Sequence, residues 1–304
     1  MMNGARALLE SLRHEGVEVV FGYPGGAVLT LYDEVYKMKF PHVLTRHEQG
    51  AAHAADGYAR ASGKVGVVFA TSGPGATNLV TGIATAHMDS VPMVCITGQV
   101  ANPYIGKDSF QEADIVGITT PITKHNYLVK DAKELPRVVK EAFYIARTGR
   151  PGVVVIDVAK DVFDTEIEYT YPAHVELHGY AGESSFEAAA VWEAAEALFA
   201  AQRPLLFVGG GAVLSDTSEY VRELIALTGM PSVATLMGLG AVPADAEGFT
   251  GMAGMHGAYA SNMAVQDCDL LIAVGTRFSD RVTGNTAGFA PKARIVHFDI
   301  DPAE

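Results

Sequence analysis

The sequence predicts an α/β protein with two domains, each built on a doubly wound parallel sheet. Three observations lead to this prediction. Most candidate strands are nearly continuous apolar runs, which is typical of strands buried on both faces of a parallel sheet. Amphipathic stretches separate these runs almost from end to end, as in a strand–helix–strand succession. The length of 304 residues is that of two domains at roughly 150 residues each.

The candidate elements alternate regularly. In the first half of the chain, apolar runs predict strands at residues 17–21, 43–45, 65–70, 93–97 and 153–158. Apolar residues at helical spacing predict helices at residues 5–14, 28–37, 49–62, 76–89 and 135–148. In the second half, the same patterns predict strands at 205–208, 232–235, 270–274 and 295–300, with helices at 186–201 and 218–228.

The alternation stops once, between the two halves. Residues 164–182 carry glutamates, a proline and glycines but no helical period, which is typical of an extended linker that runs over a surface. We therefore expect a first domain at residues 1–165, a linker at 166–185 and a second domain at 186–304. The final residues, Asp-Pro-Ala-Glu, have the pattern of a helix start. The second domain is therefore expected to be incomplete, as part of a longer protein.

The composition excludes several classes of protein. The formal net charge is −13, and so acidic a chain has no general attraction to nucleic-acid phosphates or anionic membranes. Neither a signal peptide nor a run of about 18 apolar residues is present, so the expected location is the cytoplasm. Cys95 and Cys268 lie in apolar runs without CxxC spacing and are interpreted as buried hydrophobic residues.

Two glycine-rich turns follow predicted strands. Thr-Ser-Gly-Pro-Gly-Ala-Thr-Asn at residues 71–78 comes after the strand at 65–70, and Tyr-Pro-Gly-Gly-Ala at 23–27 comes after the first strand. Glycine lets the backbone approach a ligand closely at the carboxyl edge of a parallel sheet. The longer turn is neither a Walker loop nor a GxGxxG motif, and a tight turn without a ligand explains it equally well. Two such turns in one sheet favour a binding cleft.

An acidic residue stands where the third predicted helix begins. Glu48 follows Arg46 and His47 and precedes an alanine-rich helix. The helix dipole favours a carboxylate at a helix N-terminus, so a helix-end acid is the simplest interpretation. Beside the glycine turns, a buried acid with a chemical task is the alternative. Metal binding by Glu48 with His47 and His53 is disfavoured, because their spacing matches no known site.

Five short sequences occur in order along the chain: FGYPGG at 21–26, RHEQG at 46–50, GYAR at 57–60, TSGPGATN at 71–78 and FQEAD at 110–114. Together they resemble the large, catalytic subunits of the acetolactate synthases, or acetohydroxyacid synthases, a family of thiamine-diphosphate enzymes. The resemblance extends over the whole chain. It implies that the first domain is the family's pyrimidine-binding domain and the second its Rossmann-like central domain of the FAD-binding type.

The resemblance implies roles for matching residues of the first domain. Glu48 corresponds to the glutamate that hydrogen-bonds N1′ of the cofactor's aminopyrimidine and so promotes deprotonation of the thiazolium C2. Phe110 and Gln111 correspond to the wall on the substrate side. Lys160 corresponds to a lysine near the mouth of the channel, for which a solvated lysine after a strand is the alternative. The implied thiamine-diphosphate contacts are Gly25, Gly26, Glu48, Ser72, Gly73, Pro74 and Asn78.

The second domain resembles the family in its FAD-binding segments. The triple-glycine turn at residues 209–211 lacks the GxGxxG spacing. Arg277 and Arg281 are expected to hold the pyrophosphate, and Asp299 to bind the ribose or adenine side. Ser279 replaces the first aspartate of the family's Arg-Phe-Asp-Asp-Arg, which bears on FAD affinity. The implied FAD contacts are Arg150, Gly209, Gly210, Gly211, Thr235, Leu236, Met255, His256, Gly275, Arg277, Arg281, Asp299 and Ile300.

The resemblance also implies a reaction and partners. Pyruvate is decarboxylated on thiamine diphosphate, and its two-carbon unit is joined to pyruvate or 2-ketobutyrate, the first common step of branched-chain amino-acid biosynthesis. FAD is structural in this family. The Mg²⁺ ligands belong to a third, diphosphate-binding domain that begins with Gly-Asp-Gly, a sequence absent here, so no metal ligand is expected in this chain. We further expect a homodimer or larger homo-oligomer, a small regulatory subunit, and inactivity of the chain alone.

Two other hypotheses stay open. The first is a related thiamine-diphosphate enzyme, such as pyruvate oxidase, glyoxylate carboligase or a 2-keto acid decarboxylase. Glu48 argues against glyoxylate carboligase, which lacks the glutamate, and residues 277–281 argue against the catabolic acetolactate synthases, which lack FAD. The second is a non-catalytic nucleotide-binding module, which would bind FAD without joining two keto acids.

Overall fold

A computed structural model of the chain describes residues 1–180, 182 and 186–304. Strands and helices alternate along most of this length. The chain divides into two units, Met1–Glu183 and Ser184–Glu304. The strands of the first unit are β1 (Met2–Asn3), β2 (Val20–Gly22), β3 (His42–Leu44), β4 (Gly66–Ala70), β5 (Met93–Gln99), β6 (His125–Val129), β7 (Val153–Ala159) and β8 (Glu166–Ile167). Its helices are α1 (Gly4–His14), α2 (Leu29–Lys37), α3 (Glu48–Ser62), α4 (Pro74–Thr77), α5 (Val80–Met88), α6 (Ile115–Thr119), α7 (Leu135–Arg147) and α8 (Lys160–Asp164).

The main sheet of the first unit is parallel, with its strands in the order β3-β2-β4-β5-β7-β6. From β2 the chain crosses to β3 on one side, whereas from β4 it proceeds to β5 on the other. The strand order therefore reverses between β2 and β4. In a parallel sheet such a reversal is the usual position of a binding crevice, which we place at the carboxyl edge between β2 and β4. The short strands β1 and β8 pair antiparallel as a separate ribbon.

Helices cover both faces of this sheet. Along β5, Val94 and Ile96 pack in a cluster with α1, α2 and α7, whereas Met93 and Cys95 pack with α3 and α5. Alternate residues of a strand point to opposite faces, so a strand covered on both sides is apolar throughout. The predicted doubly wound α/β fold is thereby confirmed for this unit. Cys95 is a fully buried free cysteine, as predicted, and this burial raises the pKa of its thiol.

Three differences from the predicted elements have physical causes. β6 was not predicted, because it is an edge strand that begins with polar residues and has no continuous apolar run. The helix predicted at 76–89 is interrupted at residues 78–79, between α4 and α5. The strand predicted at 17–21 begins later, because the amide of Val17 still donates to the carbonyl of Leu12 at the end of α1.

The second unit has its own parallel sheet, in the order β11-β10-β9-β12-β13. Its strands are β9 (Pro204–Val208), β10 (Ser232–Ala234), β11 (Phe249–Met252), β12 (Leu270–Val274) and β13 (Arg294–Phe298). Its helices are α9 (Ala188–Ala200), α10 (Gly210–Leu214), α11 (Ser218–Thr228), α12 (Tyr259–Asp267) and α13 (Asp280–Thr283). The strand order reverses between β9 and β12, so this unit is also doubly wound, as predicted. β11 and α12 were not predicted, since neither stands out as an apolar run or stripe.

The segment after β8 runs over the first unit. Tyr169, Leu177 and Tyr180 pack against its core, and the Tyr171 hydroxyl donates to a carboxylate oxygen of Glu15 at 2.5 Å. Of the predicted linker, residues 166–167 form β8 and residues 168–180 lie on the first unit. Its residues 181 and 183–185 lie outside the described residues. Among the described helices, none has both the length and the apolar character needed to span a membrane.

Candidate active site

Two turns meet at the crevice between β2 and β4. Residues 23–27 follow β2 and residues 71–75 follow β4. A Cβ atom on Gly25 would lie 2.5 Å from the Thr71 side chain, and Thr71 Oγ1 accepts a hydrogen bond from the amide of Ala27 at 3.1 Å. Thr71 therefore joins the two walls of the crevice. Sequence reasoning did not single it out, although it directly follows a buried strand and begins the TSGPGATN sequence.

A methyl group at Gly25 is expected to destabilise the first unit, whereas one at Gly26 is not. The backbone of Gly25 is extended, with φ −168°, so the effect of Gly25→Ala is steric. Thr71 would have to move, at a cost of about 1–3 kcal/mol. Apart from its neighbours along the chain, no described residue has an atom within 4 Å of a Cβ on Gly26. Thermal unfolding of the two variants measures the difference, and equal melting temperatures would contradict this packing.

Glu48 is the first residue of α3 and lies against the second turn. It is only 8% exposed. Its Oε2 accepts a hydrogen bond from Asn78 Nδ2 at 3.0 Å, and its Oε1 lies 3.2 Å from the position of a Cβ on Gly75. Oε1 accepts no hydrogen bond from any residue that the structure describes. The arrangement therefore leaves one oxygen of a buried carboxylate available to a ligand in the crevice.

The turn after β4 holds most of the predicted thiamine-side residues. Gly73 precedes α4 with φ +55°, a conformation that favours glycine, and Pro74 is the first residue of that short helix. Ser72 is 3% exposed, so it is part of the packed turn. Asn78 directly follows α4, and its side chain reaches Glu48. The structure thus brings Glu48 and this turn together.

Two polar aromatic side chains lie beneath the crevice. The hydroxyl of Tyr32 is 3.2 Å from His42 Nε2. Burial, and then the negative charge of Glu48, raise the pKa of Tyr32, while burial lowers the pKa of His42. Both side chains are therefore neutral at pH 7, and neither neutralises the carboxylate of Glu48. Sequence reasoning named neither residue.

The predicted substrate-side residues lie on a loop that returns to the second turn. Residues 102–113, here called the Phe110 loop, connect the end of β5 to α6. Phe110 is 89% exposed, and the Gln111 carbonyl oxygen would lie 2.6 Å from a Cβ on Gly73. Lys160 is exposed at the start of α8, so the plain interpretation of a solvated lysine stays open for it.

Of the two histidines near Glu48, His47 has a structural role, and His53 is exposed to solvent. His47 precedes α3, and its Nδ1 accepts a hydrogen bond from the amide of Gln49 at 3.1 Å, as an N-cap side chain does. His53 is exposed on α3. In the described part of the chain, no three His, Cys, Asp or Glu side chains are grouped as metal ligands.

The residues that resemble FAD contacts follow every strand of the second sheet. Residues 209–211 come after β9, 235–236 after β10, 255–256 after β11, 275–277 after β12 and 299–300 after β13. Because the strands are parallel, all of these lie at one edge of the sheet. This edge includes the reversal between β9 and β12.

The glycines of this edge pack against one another. A Cβ on Gly209 would lie 2.1 Å from the carbonyl oxygen of Gly275, and the amide of Gly211 donates to that oxygen at 2.9 Å. Close contact between the two loops therefore requires small residues even without a ligand. Nearby, the Met255 amide donates to the Arg281 carbonyl at 2.8 Å, and both residues line a cavity of about 340 Å³.

Arg150 belongs to the first unit, just before β7. Its Nε donates to Ser90 Oγ at 2.8 Å. It therefore lies at the amino edge of the first sheet, whereas Glu48 lies at the carboxyl edge. Arg150 has no part in the crevice between β2 and β4.

Two family models match the chain. The N-terminal TPP-binding domain of thiamine pyrophosphate enzymes matches residues 2–118, and the central domain of the same enzymes matches residues 191–304. Together they account for more than half of the chain. The chain belongs to the thiamine pyrophosphate enzymes. Glu48, Thr71 and Asn78 all lie within the match to the N-terminal TPP-binding domain.

Curated relatives agree with this assignment. The chain is 54% identical over 304 residues to the acetolactate synthase large subunit of Mycobacterium tuberculosis. The matched region covers 100% of the chain and 49% of that protein. The chain is 52% identical over 306 residues to a probable acetolactate synthase large subunit of Methanocaldococcus jannaschii, covering 100% of the chain and 52% of that protein. The chain is also 52% identical over 307 residues to the acetolactate synthase large subunit of Porphyra purpurea, and this match covers 99% of the chain and 52% of that protein. The chain spans about half the length of these relatives.

Proposed function

We propose that this chain supplies the pyrimidine-binding and flavin-binding parts of an acetolactate synthase large subunit. The complete enzyme would decarboxylate pyruvate and join its two-carbon unit to pyruvate or 2-ketobutyrate. The observation that carries the proposal is the buried Glu48 carboxylate beside Asn78, at the reversal between β2 and β4. Relatives at 52–54% identity named acetolactate synthase support the choice among thiamine enzymes.

The crevice would receive the aminopyrimidine of thiamine diphosphate. Gly75 leaves Glu48 Oε1 unobstructed, and Gly26 leaves open space on the opposite wall, while Gly25, Ser72, Gly73 and Pro74 shape the backbone around it. When bound, thiamine diphosphate supplies the electron sink for decarboxylation of a 2-keto acid. Glu48 Oε1 would hold a proton against a ring nitrogen, with Asn78 orienting the carboxylate from its other oxygen.

The remaining roles extend this proposal. Phe110 and Gln111 would wall the keto-acid side, and Lys160 would lie near the channel mouth. The diphosphate and Mg²⁺ would be held by residues outside this chain, and the competent unit would be at least a homodimer. A small regulatory subunit would bind the enzyme, which would work in the cytoplasm.

We propose FAD as a structural group at the carboxyl edge of the second sheet. The apolar side chains of Leu236, Met255 and Ile300 are exposed, and a flavin ring packed on them would remove this apolar surface from water. Arg281 offers a guanidinium to the pyrophosphate. The full proposed contact set is Arg150, Gly209, Gly210, Gly211, Thr235, Leu236, Met255, His256, Gly275, Arg277, Arg281, Asp299 and Ile300.

Activity tests the proposal directly. The protein expressed from its complete coding sequence, supplied with pyruvate, thiamine diphosphate, Mg²⁺ and FAD, is expected to form acetolactate. The 304-residue chain alone is expected to form none. Release of acetaldehyde or acetate without acetolactate would favour a decarboxylase or an oxidase, and FAD binding without turnover of pyruvate would favour a nucleotide-binding module.

Removal of the Arg281 guanidinium is expected to weaken FAD binding by about tenfold or more, because hydrogen bonds to a charged group contribute about 1.5–3 kcal/mol. Quenching of flavin fluorescence on titration with Arg281→Ala measures the Kd. Lys292→Ala is the control, since Lys292 is a cation of the same unit paired with Asp267 at 2.8 Å. The same Kd for both variants would contradict a role for Arg281.

A further inference from the structure

A buried acid and a buried amide connect the central strands of the first unit to the Phe110 loop. Asp157 of β7 is 1% exposed, and Gln99 at the end of β5 is 4% exposed. Asp157 Oδ1 accepts a hydrogen bond from Thr97 Oγ1 at 2.7 Å, and its Oδ2 accepts one from Gln99 Nε2 at 2.9 Å. Neither residue touches the crevice at Glu48, so the proposed chemistry leaves the pair unexplained.

Gln99 uses both ends of its amide. Besides Asp157, its Nε2 donates to the carbonyl of Ala113 at 2.8 Å, and its Oε1 accepts from the amide of Val100 at 2.9 Å. An ionised carboxylate only accepts hydrogen bonds, so Asp157 holds the NH₂ group of Gln99 in the orientation that reaches Ala113. Ala113 is the last residue of the Phe110 loop.

The Phe110 loop connects this anchoring contact at Ala113 to the turn beside the crevice. Two residues before Ala113, the Gln111 carbonyl packs against Gly73. Within the loop, the Glu112 carboxylate accepts hydrogen bonds from the amides of Ser109, at 2.9 Å, and Lys107, at 3.3 Å. The loop therefore holds its own shape, and Gln99 fixes where its final residue attaches to the sheet.

We propose that Gln99 and Asp157 are positioning residues, which hold the Phe110 loop against the Gly73 turn and thereby set the affinity for the 2-keto acid. The kinetic part of this inference rests on the proposed function, whereas the structural part does not. The pair acts through the loop and takes no part in proton transfer. Its loss should therefore change KM more than kcat.

The first measurement is hydrogen exchange of the backbone amides at residues 102–113. It uses the protein expressed from its complete coding sequence. Gln99→Met and Asp157→Leu each break the path to Ala113 and should speed exchange in the loop by about tenfold or more. Asp157→Asn should stay within about threefold of the parent, because the introduced carbonyl oxygen accepts from Gln99 and its amide donates to Thr97. Tyr127→Phe removes a comparable contact, to Glu141 at 3.0 Å, and should leave the loop unchanged.

Steady-state kinetics with pyruvate is the second measurement. Gln99→Met and Asp157→Leu should raise KM about tenfold with kcat within about threefold, and Asp157→Asn should restore both. Unchanged exchange in folded Gln99→Met or Asp157→Leu would overturn the inference, as would a loss of protection in Asp157→Asn equal to that in Asp157→Leu. If one variant does not fold, the others decide. Absence of acetolactate from the parent protein would defeat the proposed function alone, since the exchange data still test the anchor.

Discussion

Glu48→Gln is expected to lower the turnover of acetolactate formation by at least about 100-fold while leaving the fold intact. Glutamine preserves the shape of the side chain and, through its carbonyl oxygen, the hydrogen bond from Asn78 Nδ2. It cannot hold or release a proton at the position of Oε1, the oxygen that the described residues leave without a hydrogen bond. A loss of turnover in Glu48→Gln would therefore be due to the missing proton at Oε1 and not to altered packing.

The control for this variant is an acid at another helix start. Glu219 lies exposed in the first turn of α11, where a carboxylate interacts with the helix dipole only. Steady-state acetolactate assays and thermal unfolding of Glu48→Gln and Glu219→Gln should give similar melting temperatures but very different turnover. Unchanged turnover in Glu48→Gln would reduce Glu48 to a helix-end acid and remove the proposed chemistry.

The central part of the fold was predictable because burial on both faces leaves a strong signal in the sequence. β4, β5, β7 and β12 are apolar runs, and each was predicted within about two residues of its bounds. The edge strands β6 and β11 lack a continuous buried run. Their pairing depends on a neighbouring strand rather than on their own composition, so a single sequence does not reveal them.

The candidate site was predictable in part, for a related reason. Glycine turns after strands and an acid at a helix start are local patterns, and they led to Gly25, Gly73 and Glu48. Asp157 lies within an apolar run, and its partner Gln99 is 58 positions away in sequence. Only the pairing of β5 with β7 brings these two residues together, so no local pattern identifies them.

In the second sheet, the glycines after β9 have two explanations, ligand binding and close packing between loops. Residues 209–211 resemble a dinucleotide-binding turn, yet Gly209 and Gly211 are also required by the close contact with Gly275. The stronger support for a flavin is therefore positional. The matching residues follow all the described strands of one parallel sheet and meet at one edge, an arrangement that loop packing alone does not require.

Asp157→Asn is expected to raise the free energy of unfolding at pH 7 by up to about 3 kcal/mol. Burial raises the pKa of Asp157 to about 6, despite the hydrogen bonds from Thr97 and Gln99, and the charge of Asp114 at the start of α6 adds to the rise. The unfolded chain loses this proton near pH 4, whereas the folded chain retains it until about pH 6. Folding therefore becomes less favourable as pH rises through this window, and above it the deficit is constant.

Urea unfolding from about pH 4 to pH 7.5 measures the effect as the difference between Asp157→Asn and the parent protein. That difference should grow as pH rises from about 4 to 6 and then level off. Asp267→Asn is the control with the opposite sign, because Lys292 lowers the pKa of Asp267. Its variant should be less stable than the parent at pH 7, and this gap should stay nearly constant down to about pH 4, because the lowered pKa of Asp267 lies below that range. A flat difference for Asp157→Asn would mean that hydrogen bonds from Thr97 and Gln99 offset the whole cost of burying the charge, so that the buried acid would no longer oppose folding at neutral pH.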